Sequence, residues 1–586
     1  MWSGRFEGYS AAAFRKDLVS GLVVGIIAIP LGMAFAIASG VKPEYGIYTT
    51  FIAGILISLL GGSRYQIGGP TGAFIPILFA VVLQYGYENL LIAGFLAGVM
   101  LVLMGVLRLG ALIQFIPRPV TIGFTAGIAV IIFTGQIADF LGLSGVVKHE
   151  LFLANMKEIA MRLGTVNLYS VLVAAVCLAA LILTPKLLPK VPGSLVGIIL
   201  STALAVLFFD GKLETIGSKF GGIPSSLPEF QMLDLSWERI LKLLQPAFVI
   251  AMLGGIESLL SAVVADGMTG KRHNSNRELI GQGVANMVVP FFGGIPATGA
   301  IARTATNIKT GAVSPMSGVI HGVVVLLVLL MFAPYASYIP LASMAPILMM
   351  TAWNMSERHE FARILKLKNG DSAVLLITFL LTVFTNLTWA VGFGLLLAIL
   401  LFVKQSAGGM KIEKVLPDPN ARQGKVRPHV VSAGRDCPQF GIFTVEGSLF
   451  FGAANYFEKT VMNAIHSRPK VLLLRLAKVP YIDTTGEANL ASLVKHFTKE
   501  GGIILISGIQ QQPLQVLKQS GLYALIGPDR FFAHTGEAID YALKQIDTLK
   551  CKGCRHFAFR ECTELSRAEE PAPAVQEQEK VSVVTG

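Results

Sequence analysis

Charge is what this sequence has least of. Asp, Glu, Lys and Arg make up only 14% of its 586 residues, against about 25% in an ordinary soluble domain. That shortfall excludes a soluble enzyme, a disordered chain and a nucleic-acid binder built on a basic surface. Cysteine is scarce too. Five in the whole chain are too few for a disulfide framework, and Cys551, Cys554 and Cys562 fall together near the end. No cleavable leader is apparent. The opening residues are polar, and the first apolar run is too long and lacks a small-residue cleavage site, so it reads as a retained span.

What is abundant is uncharged apolar sequence. Residues 18–41, 65–87, 279–302, 310–356 and 372–403 contain no Asp, Glu, Lys or Arg. About 20 apolar residues cross a hydrocarbon core, so the chain is a polytopic membrane protein. We read fourteen segments. Seven fall at 18–38, 48–60, 71–85, 90–107, 120–140, 169–184 and 194–209. Seven more fall at 248–265, 279–290, 300–310, 316–332, 344–355, 372–385 and 388–403. Segments 71–85 and 300–310 are too short to span alone. With the N-terminus inside, the cytoplasmic side collects Arg5, Arg15, Lys16, Arg64, Arg108, Arg118, Lys186, Lys190, Lys271, Arg272, Arg358, Arg363, Lys366, Lys368 and Lys404. That asymmetry fits the rule that cytoplasmic loops are rich in Lys and Arg. It accounts for the net charge of +12 without nucleic acid, and an even span count returns the C-terminus to the cytoplasm.

An internal echo locates the chemistry. Gly69-Pro70-Thr71-Gly72-Ala73 opens the third segment and Pro296-Ala297-Thr298-Gly299-Ala300 opens the tenth. Short, Gly/Pro-interrupted segments at corresponding places in two halves point to a transporter binding site. A helix that begins inside the membrane exposes unpaired N–H groups, and these with the helix dipole attract an anion. The expected donors are the amides of Gly72, Ala73 and Phe74, and of Ala300, Ile301 and Ala302. Thr71 and Thr298 are expected to cap the ends or donate to a ligand. The alternative is a pair of ordinary Gly/Pro kinks.

Two ionisable residues stand inside apolar segments, where such groups usually mark pathways. Arg303 sits in the first turn of the tenth segment and reads as an anion counter-charge able to give bidentate contacts. Its alternatives are a structural partner for Glu257 or an Arg reaching to the interface. Glu257 stands almost alone in the eighth segment. Poised between desolvation and a neighbouring cation, it can carry a coupling proton. Ser261, one turn further on the same face, could join it in ligating sodium instead. Phe35, after Pro30 and Gly32, is a candidate cavity wall, although a membrane Phe is more often packing. His321 is a candidate proton relay or a structural histidine.

These residues bring a family with them. Pro43-Glu44-Tyr45-Gly46-Ile47-Tyr48-Thr49-Thr50, followed by Gly61-Gly62-Ser63-Arg64, resembles the sulfate-permease signature, with Ile47 where that pattern has Leu. The Gly-Pro start of segment three, Glu257 and the run from Pro296 to Asn307 also match, and the resemblance extends over about 10–545. It implies fourteen segments in two inverted repeats of seven (about 10–210 and 245–405), divided into core and gate domains. It implies an anion held by Phe35, Thr71, Gly72, Ala73, Gly299, Ala300, Ile301, Ala302 and Arg303, with Glu257 alongside. It further implies a homodimer working by an elevator-like motion. Leu31 stands where many relatives have Gln, and Ala302 where animal relatives have Ser. Ile301 replaces the Thr, and Glu257 the Asp, of sodium–bicarbonate relatives, which favours protons over sodium. The segment-ten run resembles the bacterial branch that includes proton-coupled dicarboxylate carriers, so sulfate does not follow from the family name.

After a linker at 406–437, residues 438–547 change character. Strand signals at 439–445, 471–476 and 503–507 alternate with helix signals at 456–467 and 487–497, giving a small α/β module that resembles a STAS domain. Asp483-Thr484-Thr485-Gly486 occupies the loop where anti-sigma-factor antagonists carry a phosphorylatable Ser. Thr484 is therefore a candidate regulatory site, or a helix cap. Cys551, Cys554, His556 and Cys562 are weak metal candidates at irregular spacing. From Ala568 the tail is rich in Glu, Pro and Gln and is expected to be disordered.

The fold expected is thus an all-α polytopic membrane domain (1–405) plus a cytoplasmic STAS domain (438–547) and a Cys-containing tail (548–586). The function expected is secondary active transport of an inorganic anion or a C4-dicarboxylate in the cell membrane, coupled to protons. A sodium-coupled symporter or an anion exchanger is the alternative. A nucleobase carrier would want acidic residues in segments eight and ten, and Arg303 argues against it. A STAS-based receptor would need no paired half-helices. No cofactor and no enzyme activity are expected, since no nucleophile–base pair, phosphate loop or intramembrane metal site is apparent. A cytoplasmic protein is a possible partner of the STAS domain.

Overall fold

Inside a hydrocarbon layer every backbone polar group must be satisfied within the chain, which makes apolar segments helical. The computed structural model describes residues 9–566, except 114–116, 189–190, 386–391, 395, 398, 402, 404–409, 419–425, 428–430, 433–434, 452–455, 458 and 462–468. Thirteen helices meet the first thirteen expected segments. They are α1 (Ala11–Ala38), α2 (Pro43–Leu60), α3 (Ile75–Tyr85), α4 (Tyr87–Val106), α5 (Arg118–Gly135), α6 (Leu168–Leu187), α7 (Gly193–Phe208), α8 (Trp237–Thr269), α9 (Ser275–Val288), α10 (Ile301–Lys309), α11 (Met316–Ala336), α12 (Leu341–Met355) and α13 (Gly370–Phe384). The fourteenth is described in part, from Gly392. Among the described residues seven helices, including α1, α8 and α11, are long and apolar enough to cross a membrane. The chain divides into two compact units at Ala398/Ile399.

The first unit is two bundles. Helices α1–α4 pack with α8–α11, most closely α4 on α9 and α1 on α11. Helices α5–α7 pack with α12 and α13. The bundles meet where α1 touches α7 and α12 and where α3 touches α5. Glycine permits the tightest crossing: a Cβ on Gly98 of α4 would stand 2.7 Å from the Gly283 carbonyl oxygen of α9. The helix count fits two repeats of seven.

The all-α expectation for this unit has one exception. Two short strands, β1 (Gly68–Gly69) and β2 (Thr298–Gly299), pair antiparallel just ahead of α3 and α10. Buried side chains fasten them. Asn286 of α9 takes the Ala297 N–H on Oδ1 and donates from Nδ2 to the Ala297 carbonyl, both at 2.8 Å. Ser58 of α2 donates to the Gln66 carbonyl at 3.2 Å.

The second unit is built on five strands: β3 (Lys411–Lys414), β4 (Phe440–Glu446), β5 (Val471–Lys478), β6 (Ile503–Ser507) and β7 (Phe531–Phe532). Their spatial order is β3-β4-β5-β6-β7, parallel except for β3. The three expected strands are present. The expected helix at 487–497 lies within Thr484–Lys499; that at 456–467 is only partly among the described residues. Two boundaries differ from expectation. Part of the anticipated linker supplies edge strand β3. Residues 548–566, anticipated as tail, fold onto the sheet, with Phe559 buried and stacked on Phe440 at 5.0 Å. The residues from Ala568 onward lie outside the described ones.

Candidate anion site between two half-helices

The ladder sets Gly68 opposite Gly299 and Gly69 opposite Thr298. Each chain then starts a helix: a 3-10 turn at Gly72–Phe74 leading into α3, and α10 at Ile301. The two starts leave the same small sheet in opposite directions, so the site is a crossing of two half-helices. The two-fold relation in this ladder matches Gly68 with Thr298 and Gly69 with Gly299. Thr71 therefore corresponds to Ile301, and the Thr-Gly-Ala echo is three residues out of register with the structure.

That shift corrects the donor set. Thr298 is fully buried in β2. It donates to the Gly254 carbonyl at 3.1 Å, so the Ser258 hydroxyl supplies the proton of their 2.7 Å bond. It is neither cap nor ligand donor. The Ala300 N–H is spent on the Ile67 carbonyl at 2.9 Å, the Gly299 N–H on Ser258 Oγ at 3.0 Å, and the Phe74 N–H on the Thr71 carbonyl at 3.3 Å. The first-turn amides of Gly72 and Ala73 on one side, and of Ile301, Ala302 and Arg303 on the other, have no intrahelical acceptor. Each helix start carries about half a positive charge. Ala302 is exposed, and Ile301 and Glu257 are partly so, which gives the crossing an open side.

Arg303 is 4% exposed. Its Nη2 donates to the Pro70 carbonyl, while Nη1 is buried without a hydrogen-bond partner among the described residues. Neither terminal nitrogen bonds Glu257, so the static ion pair considered as an alternative is not formed. The guanidinium lies flat against Gly69, where a Cβ would stand 2.8 Å from Nη1 and where the backbone has φ +151°. Gly69→Ala should therefore push the guanidinium aside and weaken substrate binding several-fold. A titration of purified protein with labelled sulfate measures this; unchanged affinity would remove Arg303 from the site.

Glu257 faces the other half-helix. Thr71 Oγ1 donates to its Oε2 at 2.9 Å, so Thr71 holds the carboxylate and does not cap its own turn. Ser261 is not part of that group. Its hydroxyl faces Gln66 Oε1 at 3.0 Å and Thr304 Oγ1 at 3.3 Å, fully buried. Gln66 also donates to the Ser258 carbonyl at 3.1 Å, and Thr304 Oγ1 accepts the Ile67 N–H at 3.0 Å. The sequence reading missed Gln66, Ser258, Thr304 and Asn286. Their signal was present: hydrogen-bonding side chains with no charge, beside Gly and Pro, in otherwise apolar runs.

A Cβ on Gly72 would meet Ile132 and Met355 at 3.5 Å and the Phe35 ring at 3.7 Å, so an apolar wall from α1, α5 and α12 faces the start of α3. His321 is buried in α11 against Gly54 of α2, with neither ring nitrogen hydrogen-bonded among the described residues. A cavity of about 230 Å³ lies further along α3 and shares Ile132 with this wall. There Lys148 pairs with Asp139 at 3.1 Å and Gln84 donates to Glu150 at 2.8 Å.

Comparison with known proteins identifies the family. Residues 14–378 match the model of the sulfate permease family. The chain belongs to that family. Residues 435–538 match the STAS domain. YvdB of Bacillus subtilis, provisionally named a sulfate transporter, is 55% identical over 92% of this chain and 99% of its own. The bicarbonate transporter BicA of Picosynechococcus is 29% identical over 90% of this chain and 94% of its own. The inward-facing structure of murine Solute Carrier 26 family member A9, an anion transporter, superposes with TM-score 0.82 at 19% identity, covering 92% of this chain and 93% of that one. As a sulfate permease family member this protein is a multi-pass membrane anion transporter and not an enzyme. In the STAS unit, Asp483 caps the helix Thr484–Lys499 by accepting the Gly486 N–H at 2.8 Å, which leaves Thr484 exposed at the first helical position.

Proposed function

We propose that the protein is a proton-coupled anion symporter of the cell membrane, with both termini in the cytoplasm. The observation that carries the reading is Arg303 Nη1, a buried cationic donor with no hydrogen-bond partner among the described residues, beside two open helix starts. A buried, unpaired charge costs several kcal/mol, and a bound anion is the partner that offsets it. Backbone donors with a planar guanidinium suit an oxyanion, so sulfate and bicarbonate come first and C4-dicarboxylates second.

Glu257 carries the coupling proton, poised beside the anion through Thr71. The sodium reading loses support because the Ser261 hydroxyl is committed to Gln66 and Thr304. Movement of one bundle against the other in an elevator-like step would expose the crossing alternately, within a homodimer. The STAS unit would bind a cytoplasmic partner, and a phosphate on exposed Thr484 would sit favourably at a helix N-terminus.

Uptake in proteoliposomes tests this. Labelled sulfate should enter faster when the outside is acidic, and bicarbonate, fumarate or succinate should compete if they share the site. A sodium gradient should change nothing. Sodium-driven uptake, or no entry of any of these anions, refutes the proposal.

A further inference from the structure

The second unit gathers a set of groups that transport does not use. Cys437 precedes β4; Cys551, Cys554 and Cys562 lie in the segment after Ile546. Folding brings all four to the wall of one cavity of about 30 Å³, with Gln439, Phe559 and His556 around it. The fourth cysteine was not legible from spacing because it comes from the opposite end of the STAS sequence, ahead of β4. We propose that Cys437, Cys551, Cys554 and Cys562 form a tetrahedral zinc site that clasps the segment 548–566 to the sheet.

Burial raises the pKa of the Cys437, Cys551 and Cys562 thiols, and a bound zinc ion, which deprotonates a coordinating thiol outright, would outweigh that cost. Backbone N–H groups of Gln439 and Phe440 face the Cys437 sulfur, and those of Ala558 and Phe559 face Cys562, the Phe559 bond being 3.4 Å. Gln439 Nε2 lies 3.6 Å from Cys551 Sγ. Gln439 also ties the segment down, donating to the Asp547 carbonyl and accepting its N–H, both at 3.0 Å. Gly553, at φ +74°, turns the chain between Cys551 and Cys554, and the Cys554 N–H bonds the Cys551 carbonyl at 3.1 Å. Two-residue spacing of this kind is the usual half of a four-cysteine zinc site. Lys550 on the cavity wall offsets the charge of four thiolates. The volume holds one ion with Zn–S bonds of about 2.3 Å, and not an iron–sulfur cluster. Among the described residues no three of these groups already stand at coordinating separations, so binding draws the segment inward. Four S–Zn bonds form, four thiol protons go to solvent, and nothing is oxidised. His556 is exposed and is left out of the ligand set.

The test uses the full chain purified in detergent without chelator, with metal measured by mass spectrometry. One zinc per chain is expected, and cobalt in its place should give the intense visible bands of a tetrahedral thiolate complex. Cys437→Ser and Cys554→Ser should each weaken zinc binding at least about tenfold, while His556→Ala keeps it. Zinc-free protein after zinc is supplied overturns the site, as does full zinc in Cys437→Ser, or a loss in His556→Ala equal to that in Cys554→Ser. If Cys437→Ser does not fold, thiol titration of the unmodified chain decides. Four thiols masked by zinc and released by chelator support the site; three or fewer overturn it.

Discussion

Arg303→Ala should lower anion affinity roughly a hundredfold. The estimate follows from what the guanidinium has to offer. Nη2 holds the Pro70 carbonyl and Nη1 is unpartnered, so a ligand gains one charge-assisted hydrogen bond, worth about 1.5–3 kcal/mol, in a buried setting. Alanine removes that bond and the guanidinium charge at the crossing. Lysine separates the two jobs of the residue. Its single ammonium keeps the charge but cannot hold the carbonyl and the ligand in one plane, so Arg303→Lys should fall between wild type and alanine. Titration of purified protein with labelled sulfate gives the affinities, and thermal unfolding without ligand gives the control. If Arg303 were only a brace for β1, both variants would lose stability and the surviving protein would bind normally; that pattern would sink the assignment.

The membrane fold was legible because a bilayer leaves few choices. Apolar length located thirteen helices, although α8 begins at Trp237, 11 residues ahead of the expected segment, and α1 at Ala11, seven ahead, because charged residues in their first turns mask the helix; short segments three and ten proved to be half-helices. The site was legible to the extent that charge is rare there: Arg303 and Glu257 stood out because nothing ionisable surrounds them. Hydrogen-bonding partners were not legible. Thr298 looked like Thr71 by sequence, yet a two-residue ladder shifts the register by three and buries it on Ser258. Ser261 shared a helical face with Glu257, but Gln66, contributed by the approach to β1, reached it first. Both errors come from β1 and β2, which are too short to leave a periodic signal. The STAS boundaries moved for a similar reason. Phe559 and strand β3 belong to the sheet through long-range contacts that local composition does not display.

Glu257→Gln should abolish the drive by a pH gradient while leaving binding and exchange. Glutamine keeps the side-chain shape and an acceptor oxygen for Thr71 Oγ1, which now donates at 2.9 Å, so the α8–α3 contact survives the change. What is lost is the proton. One pH unit across the membrane supplies about 1.4 kcal/mol per coupled proton, a tenfold concentrating power. Wild-type vesicles with an acidic exterior should accumulate sulfate by up to about that factor, and Glu257→Gln vesicles should only equilibrate it. Glu257→Asp, which retains a titratable carboxyl, should keep part of the drive. Counterflow of labelled against unlabelled sulfate distinguishes uncoupling from collapse, because it needs binding and alternating access but no proton. Accumulation undiminished in Glu257→Gln would place coupling elsewhere, and loss of counterflow would mean that the carboxylate braces the crossing and carries nothing across it.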